Sequence, residues 1–164
     1  MKPDTLSKVL ATFDEGGSEG SIYFAFFDCT VPVFVSKKID DYDKRCIEAF
    51  FDWGETIFIK LQSASFEYYK DYSDACDGLD DLIIGSPPEI WQYCKPINIH
   101  FESSDEDPNS TFVDVELDCD WEPEHGMQWL VKNTNFLMYV GPYYGNASPN
   151  QKVDRSLGNY AEFF

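Results

Sequence analysis

The strongest constraint on the fold lies in residues 112–124, FVDVELDCDWEPE, where apolar and acidic side chains alternate. Side chains two residues apart point to the same face of a β-strand, so this stretch predicts a strand with one buried face and one carboxylate face. The apolar set, which we expect in the core, is Val113, Val115, Leu117, Cys119 and Trp121. The acidic set on the opposite face is Asp114, Glu116, Asp118, Asp120, Glu122 and Glu124.

These six carboxylates, here called the acidic row, oppose strand formation. Neighbours in the row lie about 6.5 to 7 Å apart and repel each other, and acidic residues are poor strand formers. Their presence therefore indicates that the row binds a cationic partner, with a merely solvated face as the alternative. The predicted partner-binding residues are the acidic row and two tyrosines of the C-terminal tail: Asp114, Glu116, Asp118, Asp120, Glu122, Glu124, Tyr143 and Tyr144.

A reversal of the chain is predicted where the alternation stops, at 122-EPEHG-126. Pro123 interrupts the strand pattern, and Gly126 can adopt positive φ. His125 is expected to fix the turn through a hydrogen bond. Together with Trp121, these residues form the structural signature of a predicted β-hairpin.

A long helix is predicted over residues 41–72, because apolar side chains recur there at spacings of three and four. Three aspartates, Asp40, Asp41 and Asp43, lie where the N-terminus of a helix favours negative charge. Gly54 is the weak point of this prediction, since it is able to kink the helix or to split it in two.

The other segments complete an α+β fold. Alternating or β-branched runs predict strands at residues 21–28, 30–37, 96–103, 127–133 and 136–141. The prolines before residue 89 predict a short second helix over 88–95. We expect a single domain, residues 1–164, in which a mainly antiparallel sheet packs on one long helix. Residues 14–21 are predicted to be a flexible break, and the tail, 142–164, has no assigned structure.

The net charge of −18 narrows the classes of partner. Such a surface repels nucleic acid and anionic membranes and attracts basic proteins. No stretch resembles a signal peptide or reaches the ~18 apolar residues of a membrane span, so we expect a cytoplasmic protein. The five cysteines are widely spaced and include no C-x-x-C pair, so they are expected to be reduced and buried.

Catalytic motifs are absent from the sequence. The chain contains no nucleophile elbow, no H-E-x-x-H and no phosphate-binding glycine loop, which favours binding over catalysis and predicts no cofactor. The acidic row, drawn out along a strand, is poorly arranged to surround a metal ion. The alternative is a small metal-dependent or acid/base enzyme centred on Asp120, Glu122, Glu124 and His125.

Two segments carry a resemblance to a known family. The helix ends in F-x-Y-Y-K-D-Y, and the hairpin carries C-D-W-x-x-E-H-G and is followed by a strand ending in V-G. In this order they resemble a bacterial family of unknown function, over about residues 20 to 145. The matching residues are Phe66, Tyr68, Tyr69, Lys70, Asp71, Tyr72, Cys119, Asp120, Trp121, Glu122, Glu124, His125, Gly126, Val140 and Gly141.

The resemblance carries no established chemistry, but its setting implies a class of function. Small acidic α+β families of this kind are similar to immunity proteins, which neutralise secreted bacterial toxins such as those of contact-dependent growth inhibition. Many of those toxins are nucleases with basic active sites, and an acidic surface suits such a partner. The resemblance therefore implies an immunity protein that binds a cognate, basic toxin domain.

Overall fold

The computed structural model describes residues 3–76, 82–143, 147–150, 154, 156 and 158–164. One six-stranded sheet follows the order of the chain from β1 to β6. Every neighbouring pair is antiparallel except β2 with β3, which are parallel. The strands are β1 (Glu19–Phe24), β2 (Cys29–Phe34), β3 (Cys94–Glu102), β4 (Phe112–Cys119), β5 (Glu122–Lys132) and β6 (Phe136–Pro142). The predicted α+β class and the β4–β5–β6 meander are confirmed.

The helices differ from the prediction. The stretch predicted as one helix, 41–72, is two: α2 (Asp41–Phe51) and α3 (Glu55–Ala75), separated at Gly54, whose extended backbone caps α3. Helix α2 begins where the three aspartates predicted a helix N-terminus, and Asp40 and Asp43 form a reciprocal capping box there. The segment predicted as a short helix over 88–95 is instead a 3-10 helix, Pro87–Gln92.

Helices at the two ends of the chain were not predicted. An N-terminal helix, α1, spans Pro3–Leu10, and a 3-10 helix, Tyr160–Phe163, lies in the tail. Within the described part of the chain, no helix has both the length and the apolar character needed to cross a membrane.

The main core lies between α2, α3 and one face of the sheet. All five apolar residues predicted to face the core from residues 112–124 are at most 4% exposed. On the neighbouring strand, the Trp129 indole Nε1 donates to the Ser65 hydroxyl of α3 at 3.1 Å, and both residues are fully buried. The alternation in the sequence thus correctly identified the buried face.

The opposite face of the sheet is partly covered, which the sequence did not predict. Four residues form a second apolar cluster there, and Ala147 of the tail packs against it. The Ser104 hydroxyl also donates to the Asn150 side chain at 2.7 Å. Ala147 of the tail therefore covers part of this face, and Asn150 contacts the β3–β4 loop. The cluster is Phe112, Leu130, Met138 and Tyr139.

Single side chains protect both edges of the sheet. On β6, the Asn159 amide donates to Met138 O at 2.8 Å and accepts from Val140 N at 3.3 Å, as a neighbouring strand would. On β1, the Thr12 hydroxyl accepts from Ser21 N at 2.8 Å and contacts Ser21 O at 3.1 Å. Both contacts occupy backbone groups that would otherwise recruit a strand from another chain.

Residues 14–18 of the predicted flexible break form a turn. The Asp14 carboxylate accepts from the backbone N of Glu19 at 3.1 Å and of Ser18 at 2.8 Å, and these bonds lower the pKa of Asp14. Strand β1 already begins at Glu19. Glycine and serine content alone indicated flexibility, but the aspartate provides the acceptor that the turn needs.

Candidate functional site

The β4–β5 hairpin reverses earlier than predicted. Its turn residues are Asp120 and Trp121, and Cys119 faces Glu122 at the end of the ladder. The prediction of a reversal at 122–126 is therefore wrong. A two-residue connection closes the hairpin. Pro123 and Gly126, which predicted the turn, lie instead in a bulge of the following strand, β5.

Residues 123–126 bulge out of β5 and have no partner in the β4 ladder. Gly126 ends the bulge with φ at 69°. The Glu122 carboxylate holds the bulge together: it accepts from His125 N at 2.8 Å and lies 3.2 Å from the His125 Nδ1. His125 therefore contacts Glu122 within the bulge, and not in the chain reversal where the sequence placed it.

Helix α3 packs directly on the hairpin. The buried Trp121 ring contacts Tyr69 edge-to-face at 5.9 Å and Tyr68 at 6.3 Å between ring centroids. The Tyr68 hydroxyl also donates to Gly126 O at 3.4 Å. The two motifs of the resemblance, about fifty positions apart in the printed sequence, therefore form one structural unit.

A cleft of about 370 Å³ opens where α3, the bulge and the tail meet. We call it the acidic cleft, because Asp71, Glu122 and Glu124 line it beside the imidazole of His125, and none of the described lining residues is a lysine or an arginine. Three tyrosine rings and smaller groups form its walls. The remaining lining residues are Tyr68, Tyr72, Ala75, Pro142, Gly158 and Tyr160.

The electrostatics of the acidic cleft favour a cation. Burial, a hydrogen bond to Cys76 and the negative charges of Glu122 and Glu124 together raise the pKa of Tyr72 to about 12. Glu122, Glu124 and His125 each offer one ligand atom within 4.8 Å of the others. Such a grouping suits either a divalent metal ion or a positively charged side chain.

The acidic row is not the continuous exposed surface that the alternation predicted. Asp114 is 5% exposed and Glu122 is 1% exposed, so neither lies on the open surface, and Glu122 borders only the acidic cleft. Glu116 is half-buried and accepts from the Asn98 amide at 2.7 Å. Only three members are exposed at the surface: Asp118, Asp120 and Glu124.

Asp114 and Gln128 form a buried polar pair on the face of the sheet opposite the main core. Its Oδ2 accepts from Gln128 Nε2 at 2.6 Å, whereas Asp114 Oδ1 and Gln128 Oε1 have no hydrogen-bond partner among the described residues. Burial raises the pKa of Asp114 to about 8, the bond from Gln128 opposes this, and the charges of Glu102 and Glu116 reinforce it. Asp114 is therefore a buried acid and not a contact residue.

The two predicted tyrosines have different outcomes. Tyr143 is half-buried beside this polar group: burial and the charges of Glu116, Asp114 and Glu102 raise its pKa. Tyr144 lies outside the described residues.

Asp71, Tyr72 and Tyr160 are the cleft residues that reasoning from the sequence did not select. Asp71 and Tyr72 belong to the helical motif, where their spacing from Tyr68 places all three along one side of α3. That spacing could have indicated that the three side chains line a common site. Nothing in the tail sequence indicates that Tyr160 reaches the cleft.

Fold and cleft together define a small α+β protein with an open sheet and an acidic site between a helix and a hairpin. The chain belongs to the family described as a domain of unknown function, DUF6985, whose model matches residues 9–147. Neither the curated proteins nor the solved structures include a significant match to the chain.

Proposed function

We propose that this protein is a cytoplasmic immunity protein that binds and neutralises a cognate bacterial toxin domain with a basic surface. The observation that carries the proposal is the acidic cleft, which gathers three carboxylates and three tyrosines at one end of the molecule. The net charge of −18 supports the same class of partner, because it accelerates association with a basic protein.

An arginine or lysine side chain of the toxin suits the cleft. The tyrosine rings provide apolar walls for the aliphatic stem of such a side chain and π-faces for its charge. Asp71 and Glu124 are exposed and provide carboxylate acceptors at the mouth. Arginine and tyrosine are the residue types that most often dominate protein interfaces.

The exposed carboxylates beside the cleft replace the acidic row as the proposed contact surface. Asp118 and Asp120 lie at the end of the same hairpin as Glu124. These three carboxylates are exposed, whereas Asp114 is buried and Glu116 is half-buried. The proposal therefore rests on the end of the hairpin and the adjoining turn of α3.

The test measures binding to the C-terminal domain of a large exported protein encoded beside this gene. We expect a one-to-one complex that abolishes the toxicity of that domain. In the double variant Asp71→Asn, Glu124→Gln, the association rate at low salt should fall about tenfold or more, because rim charges control the rate of encounter. The wild-type rate should itself fall with added salt.

A matched control removes two negative charges from a surface remote from the acidic cleft. Asp105→Asn with Glu106→Gln alters two exposed carboxylates in the β3–β4 loop, which joins β4 at the end away from the hairpin turn. We expect the control to change the rate less than about threefold. Equal effects of the two double variants would remove the acidic cleft from the proposal, and the absence of any complex would remove the immunity function.

The close grouping of Glu122, Glu124 and His125 favours a second candidate, a small metal-dependent enzyme. Two carboxylates and an imidazole match the ligand preferences of Zn²⁺ and Mn²⁺. Asp120, which the sequence pattern placed in this group, does not line the cleft, and its backbone N donates to Tyr93 O. The candidate site therefore consists of three residues.

Metal retention discriminates between the two candidates. The protein is incubated with Zn²⁺ or Mn²⁺, passed through a desalting column and analysed for bound metal. The immunity proposal predicts no stoichiometric ion. One equivalent retained by the wild type and lost in Glu124→Gln would instead favour the enzyme.

A further inference from the structure

Two of the five cysteines lie directly opposite each other in the sheet. Cys94 begins β3 and Cys119 ends β4, and the antiparallel register pairs them. Both are buried on the core face, at 8% and 4% exposure. The other three, Cys29, Cys46 and Cys76, lie on β2, on α2 and after α3.

The type of pairing brings the two side chains especially close. The backbone N of Asp120 donates to Tyr93 O at 2.9 Å, so the bond joins the residues flanking the cysteine pair. In an antiparallel ladder this pattern identifies a non-hydrogen-bonded pair, in which the Cα atoms are roughly 4.5 Å apart and the side chains approach most closely. That spacing lies within the range that disulfide bonds span.

We propose that Cys94 and Cys119 are a disulfide-forming site, closed by exchange with a small-molecule disulfide such as oxidised glutathione. The thiolate of one cysteine attacks the glutathione disulfide, forms a mixed disulfide and releases one glutathione thiolate. The second cysteine thiolate then attacks the protein sulfur of that mixed disulfide and releases the second glutathione. The protein loses two protons and two electrons, and one glutathione disulfide becomes two thiols.

The reduced pair is protected in the folded protein. Burial raises the pKa of both thiols, and their sulfurs contact backbone carbonyls, with the Cys94 Sγ 3.4 Å from Ile90 O. Because the thiolate is the nucleophile, exchange requires the end of the hairpin to open or the chain to be folding. The rate of disulfide formation is therefore limited by the access of glutathione to the buried thiols, and not set by a cysteine with a lowered pKa.

Oxidation would act directly on the hairpin that carries the acidic cleft. Cys119 pairs across the hairpin with Glu122, which lines the cleft and holds the bulge. A bond from Cys119 to Cys94 joins that end of the hairpin to the start of β3. This inference concerns the covalent state of the chain and stands independently of the proposed function.

The experiment refolds the reduced, full-length protein in a buffer of reduced and oxidised glutathione, so that all five thiols are accessible while the fold selects a pair. Remaining thiols are blocked with N-ethylmaleimide, and the digest is analysed by mass spectrometry. We expect a Cys94–Cys119 linkage, about 2 Da lighter than the two reduced peptides together, as the predominant protein disulfide. Predominance of another pair, or glutathione adducts without this linkage, would overturn the proposal.

Thermal unfolding provides a second measurement with matched controls. The oxidised protein should melt roughly 5 to 10 °C above the reduced protein, because the cross-link restricts the unfolded chain. The difference should vanish in Cys119→Ala and persist in Cys46→Ala, which removes a buried thiol from α2. An equal difference in both variants would contradict the assignment of the pair.

Discussion

Replacing Asp114 with asparagine should stabilise the protein at alkaline pH by up to about 6 kcal/mol, the free-energy equivalent of a carboxyl pKa raised from 3.8 to about 8. The folded protein keeps Asp114 protonated below that value, whereas the unfolded chain ionises it near the ordinary aspartate pKa of 3.8. Stability is therefore lost as pH rises from about 4 to 8, and the loss is complete above that range.

The measurement is urea unfolding of the wild type and Asp114→Asn at pH 5, 7 and 9. The difference in unfolding free energy should be smallest at pH 5 and largest at pH 9. An asparagine amide also supplies the donor that the unpartnered Gln128 Oε1 lacks, while its own oxygen still accepts from Gln128 Nε2.

Asp118→Asn is the matched control, because Asp118 lies on the same strand and belongs to the same acidic row but is exposed. It should change stability by less than about 0.5 kcal/mol at each pH. If Asp114→Asn retained the full pH dependence of the wild type, Asp114 would already be ionised in the folded protein.

Gly126→Ala is expected to destabilise the protein by about 3 kcal/mol or more. Gly126 has φ at 69°, a conformation that strains any other residue, and a Cβ atom there would lie 2.3 Å from Leu117 O. That oxygen belongs to the backbone of β4. It cannot withdraw without disturbing the β4–β5 ladder, so the bulge itself would have to change.

The same measurement on Gly54→Ala provides the comparison. A Cβ atom at Gly54 meets nothing within 4 Å, and its φ of −101° is open to alanine. Loss of the preferred helix cap should cost less than about 1 kcal/mol. Near-equal losses in the two variants would mean that the bulge adapts to a side chain, contrary to the close approach of Leu117.

A destabilising effect at Gly126 also bears on the acidic cleft. Gly126 O accepts from Tyr68, and the bulge that it closes carries Glu124 and His125. A variant that remained folded but shifted the bulge should therefore weaken partner binding without any change in charge. The double variant Asp71→Asn, Glu124→Gln tests the other factor, because it removes two charges from the cleft and leaves the backbone of the bulge unchanged.

The buried face of β4 was determined by the sequence alone. Val113, Val115 and Leu117 alternate with acids, and a strand has only two faces, so the apolar set had to meet the core. The antiparallel meander and the N-terminus of α2 followed from equally local rules. Such predictions succeed because the interacting groups are near neighbours in the chain.

Other features depended on how distant segments pack. The alternation of the strand assigned Asp114 to the face opposite the main core, but a second apolar cluster forms on that face and the aspartate is buried. Pro123 and Gly126 predicted a departure from regular strand structure, and one occurs there. It is a bulge within β5 and not the chain reversal, because Cys119 already pairs with Glu122. Parity specifies the direction of a side chain, whereas solvent exposure depends on what packs above it.

The candidate site shows the same division. Each motif was visible in the sequence, and the acidic character of 118–124 was its plainest feature. Only the tertiary structure brought Asp71 and Tyr72 of α3 beside Glu122 and added Tyr160 of the tail to the cleft lining. The sequence by itself determined which side chains are able to bind a cation. The packing of α3 on the hairpin decided which of them lie together, because contacts between distant segments depend on how the whole core packs.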